Sequence, residues 1–159
     1  MRMSANSSVA ALVFGSRKSN VEYVERRAAY VVIIDGGQVA MVGHGQKRFL
    51  PGGGSLAGEA PEMTVGREVR EEIGLSVRLL QMVGKATQYF YSESDGRHYE
   101  MVAVFFAGEI TSRAPNSIAE HQLEWVPPSE VNTLCFHECH AWAVCQCMDV
   151  AQIVGRQAR

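Results

Sequence analysis

The sequence predicts a mixed α/β domain, because strand-like runs, one helix, further strands and a last helix follow one another along the chain. Two local patterns carry that reading. Tyr30-Val31-Val32-Ile33-Ile34 is continuously apolar and rich in β-branched residues, as a buried strand is. Val65, Val69 and Ile73 recur every four residues and form one apolar stripe, as a docked helix does.

The chain has 159 residues, which suits one domain with a substantial core. Its composition is 47% hydrophobic and 20% charged, outside the range of disordered chains. A net charge of −2 offers no basic surface for coating a nucleic-acid polymer. The apolar run Val9–Phe14 is too short for a signal-peptide core or a membrane span. The four cysteines (Cys135, Cys139, Cys145, Cys147) cluster near the C-terminus without secretory context. The expectation is a cytoplasmic protein with reduced thiols and no membrane partner.

Residues 1–20 read as an N-terminal extension: a flexible end over the first eight residues, then a short strand within Val9–Phe14. Residues 21–159 read as one domain. Val21–Val24 is a short strand, Ala29–Asp35 a firmer one, and Gly36-Gly37 turns the chain into Val39–Gly43. Pro51-Gly52-Gly53-Gly54 reads as a loop whose backbone passes close to another group. A helix starts near Pro61, since proline suits a first turn, and ends at Gly74, a good C-terminal cap. Val77–Met82, Lys85–Ser92 and His98–Ile110 follow as strands, the last two joined by a turn at Ser94-Asp95-Gly96. Leu123–Val126 is a further strand. A helix then runs from about His137 to Arg156, with Trp142, Cys145 and Ile153 available to pack.

Five of the 17 acidic residues lie between Glu59 and Glu72. Glu68, Glu71 and Glu72 stand at i, i+3 and i+4, so their carboxylates share a helix face about 100° from the apolar stripe. Such carboxylates repel one another and weaken the helix. A solvated acidic face is one explanation. The other is a site for Mg²⁺ or Mn²⁺, hard cations that take oxygen ligands and share them with phosphates. Spacing alone leaves the two even.

Gly53, five residues, Glu59, seven residues, and then Arg67-Glu68-Val69-Arg70-Glu71-Glu72-Ile73-Gly74-Leu75 resembles the Nudix box at every defining position. Phe49-Leu50-Pro51-Gly52-Gly53-Gly54 before it and Glu124-Trp125-Val126 after it also resemble the family, over about Glu22 to Met148. The resemblance implies an α/β/α sandwich around a mixed sheet and a Mg²⁺-dependent hydrolase, with Mn²⁺ as a substitute. Such an enzyme cleaves the pyrophosphate of a nucleoside diphosphate linked to another moiety. Nucleoside triphosphates, ADP-ribose and dinucleoside polyphosphates are all open as substrates, and so are a homodimer and a non-catalytic binding module. Glu68, Glu71 and Glu72 would hold the cations, with Glu59 as a further ligand or an orienter. Arg67 would orient a carboxylate through a bidentate pair. Gly53 and Gly54 would let substrate approach the backbone. The general base is a box glutamate such as Glu71 or a loop glutamate. Glu120 is the loop candidate, ahead of Glu100, with a solvated loop acid as its alternative.

Other residues invite chemistry with less support. Cys135, His137, Cys139 and His140 are zinc-ligand types, but their spacing lacks paired ligands, so they are expected in the core and at the helix start. Tyr89, Phe90, Tyr91 and Tyr99 concentrate on one hairpin, where sheet packing is the default. Tyr91 is the member singled out for substrate contact, because its distance from the box resembles that in diadenosine-polyphosphate hydrolases. His44 and Lys47 are expected at a solvated hairpin end, with phosphate contact as the alternative.

Overall fold

A computed structural model describes residues 12–114 and 118–157, with side chains described up to residue 149. The expected flexible end and the start of the Val9–Phe14 strand lie outside the described residues, as does the Ile153 side chain. Eight strands, β1 (Leu12–Phe14), β2 (Tyr23–Asp35), β3 (Gln38–His44), β4 (Lys47–Phe49), β5 (Gly52–Gly54), β6 (Leu75–Ser92), β7 (Arg97–Arg113) and β8 (Leu123–Val126), are described. The helices are α1 (Pro61–Ile73), the short α2 (Val131–Leu134) and α3 (Glu138–Gln157). The sheet runs β1-β6-β7-β2-β3-β4, with β5 added on β2 and β8 on β3. It is mixed: β1 lies parallel to β6 and β2 parallel to β7, while the β6–β7 hairpin is antiparallel.

Strand alternation builds the layers. On β2, Ala29, Val31 and Ile33 face α1 and meet Val65, Val69 and Ile73, the stripe read from the sequence. Ala28, Tyr30 and Val32 face the other way and pack with Cys139, Ala143 and Val144 of α3. All three stripe residues of α1 are buried. This is an α/β/α sandwich around a mixed sheet.

Several segments are longer than the sequence suggests. Val21–Val24 and Ala29–Asp35 merge into β2, because the exposed residues Glu25 to Arg27 still pair with β7, from Glu25↔Glu100 to Arg27↔Val102. Val77–Met82 and Lys85–Ser92 are one strand, β6, whose irregularities are register shifts near Val77, Gln81 and Gly84. The expected Pro51–Gly54 loop contains a strand. Gly52–Gly54 pairs antiparallel with Ala28–Tyr30, and a Cβ at Gly52 or Gly53 would come within 3.0 Å of a neighbouring atom. At Gly52, φ is 139° and a Cβ would lie 2.2 Å from the Ala29 carbonyl oxygen. Apolar periodicity cannot register a strand without side chains.

Candidate active site

Helix α1 is built as its sequence suggests: Pro61 opens it, and Gly74 closes it with a left-handed φ of 66° and an N–H donated to the Arg70 carbonyl at 3.0 Å. With the apolar stripe docked, the acidic side of α1 lies against β5. Backbone N–H groups of Glu120 and His121 donate to the carbonyls of Glu71 and Glu72 at 3.0 Å and 2.8 Å. The loop before β8 is thereby fastened to the last turn of α1.

Arg67 is the centre of the polar network. Its Nε donates to Glu59 Oε2 at 2.9 Å and its Nη2 to Glu59 Oε1 at 3.0 Å, a bidentate pair. Nη1 donates to Glu68 Oε1 at 3.0 Å and Glu71 Oε2 at 3.1 Å, and Nη2 also reaches the Gly54 carbonyl at 2.9 Å. These contacts use all five donors of the guanidinium. The bidentate partner is therefore Glu59, while Glu68 and Glu71 each receive a single bond. Glu59 also accepts from the Thr64 hydroxyl at 2.8 Å and the Leu56 N–H at 3.1 Å. The Arg67 hydrogen bonds hold the Glu59 carboxyl down to about 2, helped by Thr64 and Leu56. Glu59 thus stands as the support of Arg67.

Glu68 and Glu72 face the cleft. Glu72 is buried, and its Oε1 accepts the Gly52 N–H at 2.8 Å. Burial pushes its carboxyl up to about 8 against that hydrogen bond, with Glu68, Glu120 and Glu71 adding repulsion. Burial also raises Glu68, opposed by Arg67. Glu71 is half exposed and turned to Arg67, and does not line the cleft. Among the described residues, no three His, Cys, Asp or Glu side chains are gathered as a ready metal-ligand group. The box instead presents hard oxygen donors restrained by one arginine and one backbone N–H.

The cleft has a volume of about 650 Å³. Glu68, Glu72 and Glu120 line it beside Gly52 and Gly53, together with Arg26, Lys47, His44 and His121. Phe49, Phe90, Phe136 and His137 line it as one aromatic cluster, and Ser92, Glu93, Ser94 and Asp95 of the β6–β7 hairpin border it as well. His44 and Lys47 thus border the cleft and not merely a solvated hairpin end. Arg26, Phe49, Phe136 and His121 carried no functional reading in the sequence. Arg26 sits in the charged run Glu25-Arg26-Arg27 ahead of an apolar strand, a signal that spacing could not attach to the box.

Other predicted residues fall elsewhere. Tyr91 does not line the cleft; its ring packs against His98 at 4.8 Å, and alternation turns the neighbouring Phe90 and Ser92 inward. Gly54 is likewise absent from the lining, and its carbonyl is taken by Arg67. Glu100 pairs with Arg17 at 3.0 Å, outside the cleft. Tyr89 packs edge-on against Tyr23. Cys139 and His140 are core residues: burial pushes the Cys139 thiol up to about 12, and His140 Nδ1 accepts the Leu50 N–H at 3.1 Å. His137 belongs to that core and also to the cleft.

Comparison with known proteins bears on the family and the fold. A putative 8-oxo-dGTP diphosphatase of Mycobacterium tuberculosis is 35% identical over 89 residues, which is 55% of this chain and 41% of that protein. The chain therefore spans less than half the length of the relative it matches. A NUDIX hydrolase from Nitrosomonas europaea superposes with a TM-score of 0.65 at 19% identity, covering 79% of this chain and 90% of that one. An ADP-ribose pyrophosphatase of Streptococcus suis gives 0.58 at 15% identity, over 79% and 91%. At such identities the likeness concerns the fold alone. The NUDIX domain profile matches residues 24–146, a span that holds the sheet apart from β1 and the first residue of β2, the box helix and the cleft, so the chain belongs to the NUDIX family.

Proposed function

We propose that this chain is a divalent-metal-dependent pyrophosphohydrolase of nucleotides, acting on a nucleoside diphosphate linked to a further group such as a terminal phosphate. The observation that carries the proposal is one cleft lined by the carboxylates of α1, by a cluster of aromatic rings and by Arg26 and Lys47. That combination suits a ligand with an apolar ring system, an anionic chain and a metal-bearing diphosphate.

Enzymes of this family generally use divalent cations. The donors here fit such an ion chemically, since all are carboxylate oxygens on one helix face. Glu68 and Glu72 would hold it, with Glu71 joining by turning its exposed side chain away from Arg67. When bound, the ion would neutralise the diphosphate and lower the pKa of a coordinated water. Arg67 keeps Glu68 oriented, and the Gly52 N–H fixes Glu72. Arg26 and Lys47 offset phosphate charge. Glu120 lines the cleft on a fastened loop and is our candidate to take the proton from the attacking water. Glu71 is the other candidate, so Glu120→Gln should lower kcat by about 10²-fold or more only if the loop residue is the base.

The substrate class includes nucleoside triphosphates with oxidised bases, the activity named for the mycobacterial relative, and ADP-ribose, named for a structural neighbour. A screen of (deoxy)nucleoside triphosphates, oxidised guanine nucleotides, ADP-ribose, dinucleoside polyphosphates and nucleotide sugars with Mg²⁺ or Mn²⁺ tests the proposal. Turnover that a chelator abolishes and added metal restores is the expected result. No cleavage of a phosphoanhydride in any member, read as phosphate, pyrophosphate or a nucleoside monophosphate, would remove the hydrolase reading. Nucleotide binding without turnover would make the chain a binding module.

A further inference from the structure

The aromatic cluster that lines the cleft contains a polar group without a partner. His137 is only 4% exposed and lines the cleft, and its Nδ1 is sealed from solvent with no hydrogen bond. Its ring lies 4.5 Å from Phe90, 4.8 Å from Phe136 and 5.5 Å from Phe49, centroid to centroid. Lys47 Nζ stands 4.2 Å from the Phe136 ring centroid. Burial among these rings lowers the His137 pKa to about 3, with repulsion from Arg26 and Lys47 adding to it, so the imidazole is neutral near pH 7. A neutral imidazole has one N–H and one lone pair. With the lone pair on the sealed Nδ1, the hydrogen lies on Nε2. The nitrogen left for the cleft is then a donor set among phenyl rings. Nothing in the hydrolytic reaction calls for it there.

We propose that His137 is a specificity residue that donates from Nε2 to an acceptor on the heterocyclic base of the substrate, with Phe49, Phe90 and Phe136 packing on that base. The inference rests on the nucleotide reading above and adds the group that reads the base. A heteroaromatic ring with a carbonyl or ring-nitrogen acceptor satisfies both features of the pocket. An aliphatic or purely apolar ligand would leave the donor unpaired, which a site built for a hydrogen bond rejects.

The test is equilibrium binding of adenosine, guanosine, cytidine and uridine monophosphates, and of base-free ribose 5-phosphate, to the full chain and to His137→Phe. Phe keeps the ring and removes the donor. His137→Asn keeps a donor and serves as a second variant, with melting curves recorded for both. At least one monophosphate should bind His137→Phe roughly tenfold more weakly, about what one neutral hydrogen bond contributes. Ribose 5-phosphate should bind both proteins alike, and His137→Asn should recover part of the loss. Equal binding of all four monophosphates to wild type and to folded His137→Phe overturns the inference, as does an equal loss for ribose 5-phosphate. If His137→Phe does not fold, a folded His137→Asn that binds every monophosphate tenfold more weakly, with ribose 5-phosphate falling in parallel, also overturns it. Wild-type turnover of a nucleotide with either negative result leaves the hydrolase reading standing and removes only the role of His137. Wild-type protein that neither binds nor hydrolyses any nucleotide removes both.

Discussion

Adjacent glycines of β5 should respond in opposite ways to the same substitution. A Cβ at residue 53 would stand 2.7 Å from Glu68 Cδ and 2.8 Å and 3.0 Å from its carboxylate oxygens. Ordinary contact begins at 3.4 Å, so the carboxylate must withdraw by about 0.7 Å, from 3.4 − 2.7. The obstacle is the end of a flexible side chain, so Gly53→Ala should fold with its melting temperature nearly unchanged. Catalysis should suffer, because a displacement approaching 1 Å can cost about 10²-fold; we expect kcat/KM to fall roughly 10- to 10²-fold. At Gly52 the obstacle is backbone: a Cβ would lie 2.2 Å from the Ala29 oxygen and 2.7 Å from Tyr30 Cα, at a φ of 139°. Overpacking and backbone strain of about 1–3 kcal/mol each give a loss of roughly 3 kcal/mol. That lowers the melting temperature by ~6–12 °C for a chain of this size. Thermal melts and steady-state kinetics on the best substrate of the screen decide the matter. Gly53→Ala with wild-type kcat/KM, or one that melts as early as Gly52→Ala, would refute the claim that residue 53 is kept bare for Glu68.

Three further outcomes are expected. Glu71→Gln and Glu72→Gln should each lower kcat by several orders of magnitude while circular dichroism stays native; full activity in both would place the metal elsewhere. Arg67→Lys has three donors in place of five and cannot hold the bidentate pair with Glu59, so kcat/KM should fall at least ~10-fold. Wild-type kinetics would show that the network of Glu59, Glu68 and Glu71 forms without it. His137 titrates near an ordinary 6.5 when unfolded and at about 3 when folded, so the unfolded chain binds the extra proton between those values. Its contribution to stability is complete above pH 6.5 and is lost as the pH falls toward 3, at up to about 1.4 kcal/mol per pH unit. Wild type should therefore lose stability relative to His137→Phe over that window; parallel curves in acid denaturation would contradict the buried neutral imidazole.

What could be read from the sequence was local. The α1 stripe of Val65, Val69 and Ile73, the caps Pro61 and Gly74, and the shared face of Glu68, Glu71 and Glu72 follow from a helix period of 3.6 residues, and the structure keeps them. The β-branched run in β2 likewise announces a strand buried on both faces. Where each carboxylate turns was not legible, because donors near and far in sequence compete for it. Arg67 takes Glu59 and Glu71, whereas Gly52, twenty positions earlier, takes Glu72. The same holds for β5, whose glycines pair as a strand only because β2 and α1 close around them. The aromatic cluster of the cleft lies furthest beyond sequence reasoning. Phe49, Phe90, Phe136 and His137 come from β4, β6 and the segment before α3, and only the folded sheet sets their rings within 6.1 Å of at least one another member. The box residues sit in one short stretch with a helical period, so the sequence alone determined their shared face. The rings that line the cleft come from separate elements, so the tertiary structure alone decided their grouping.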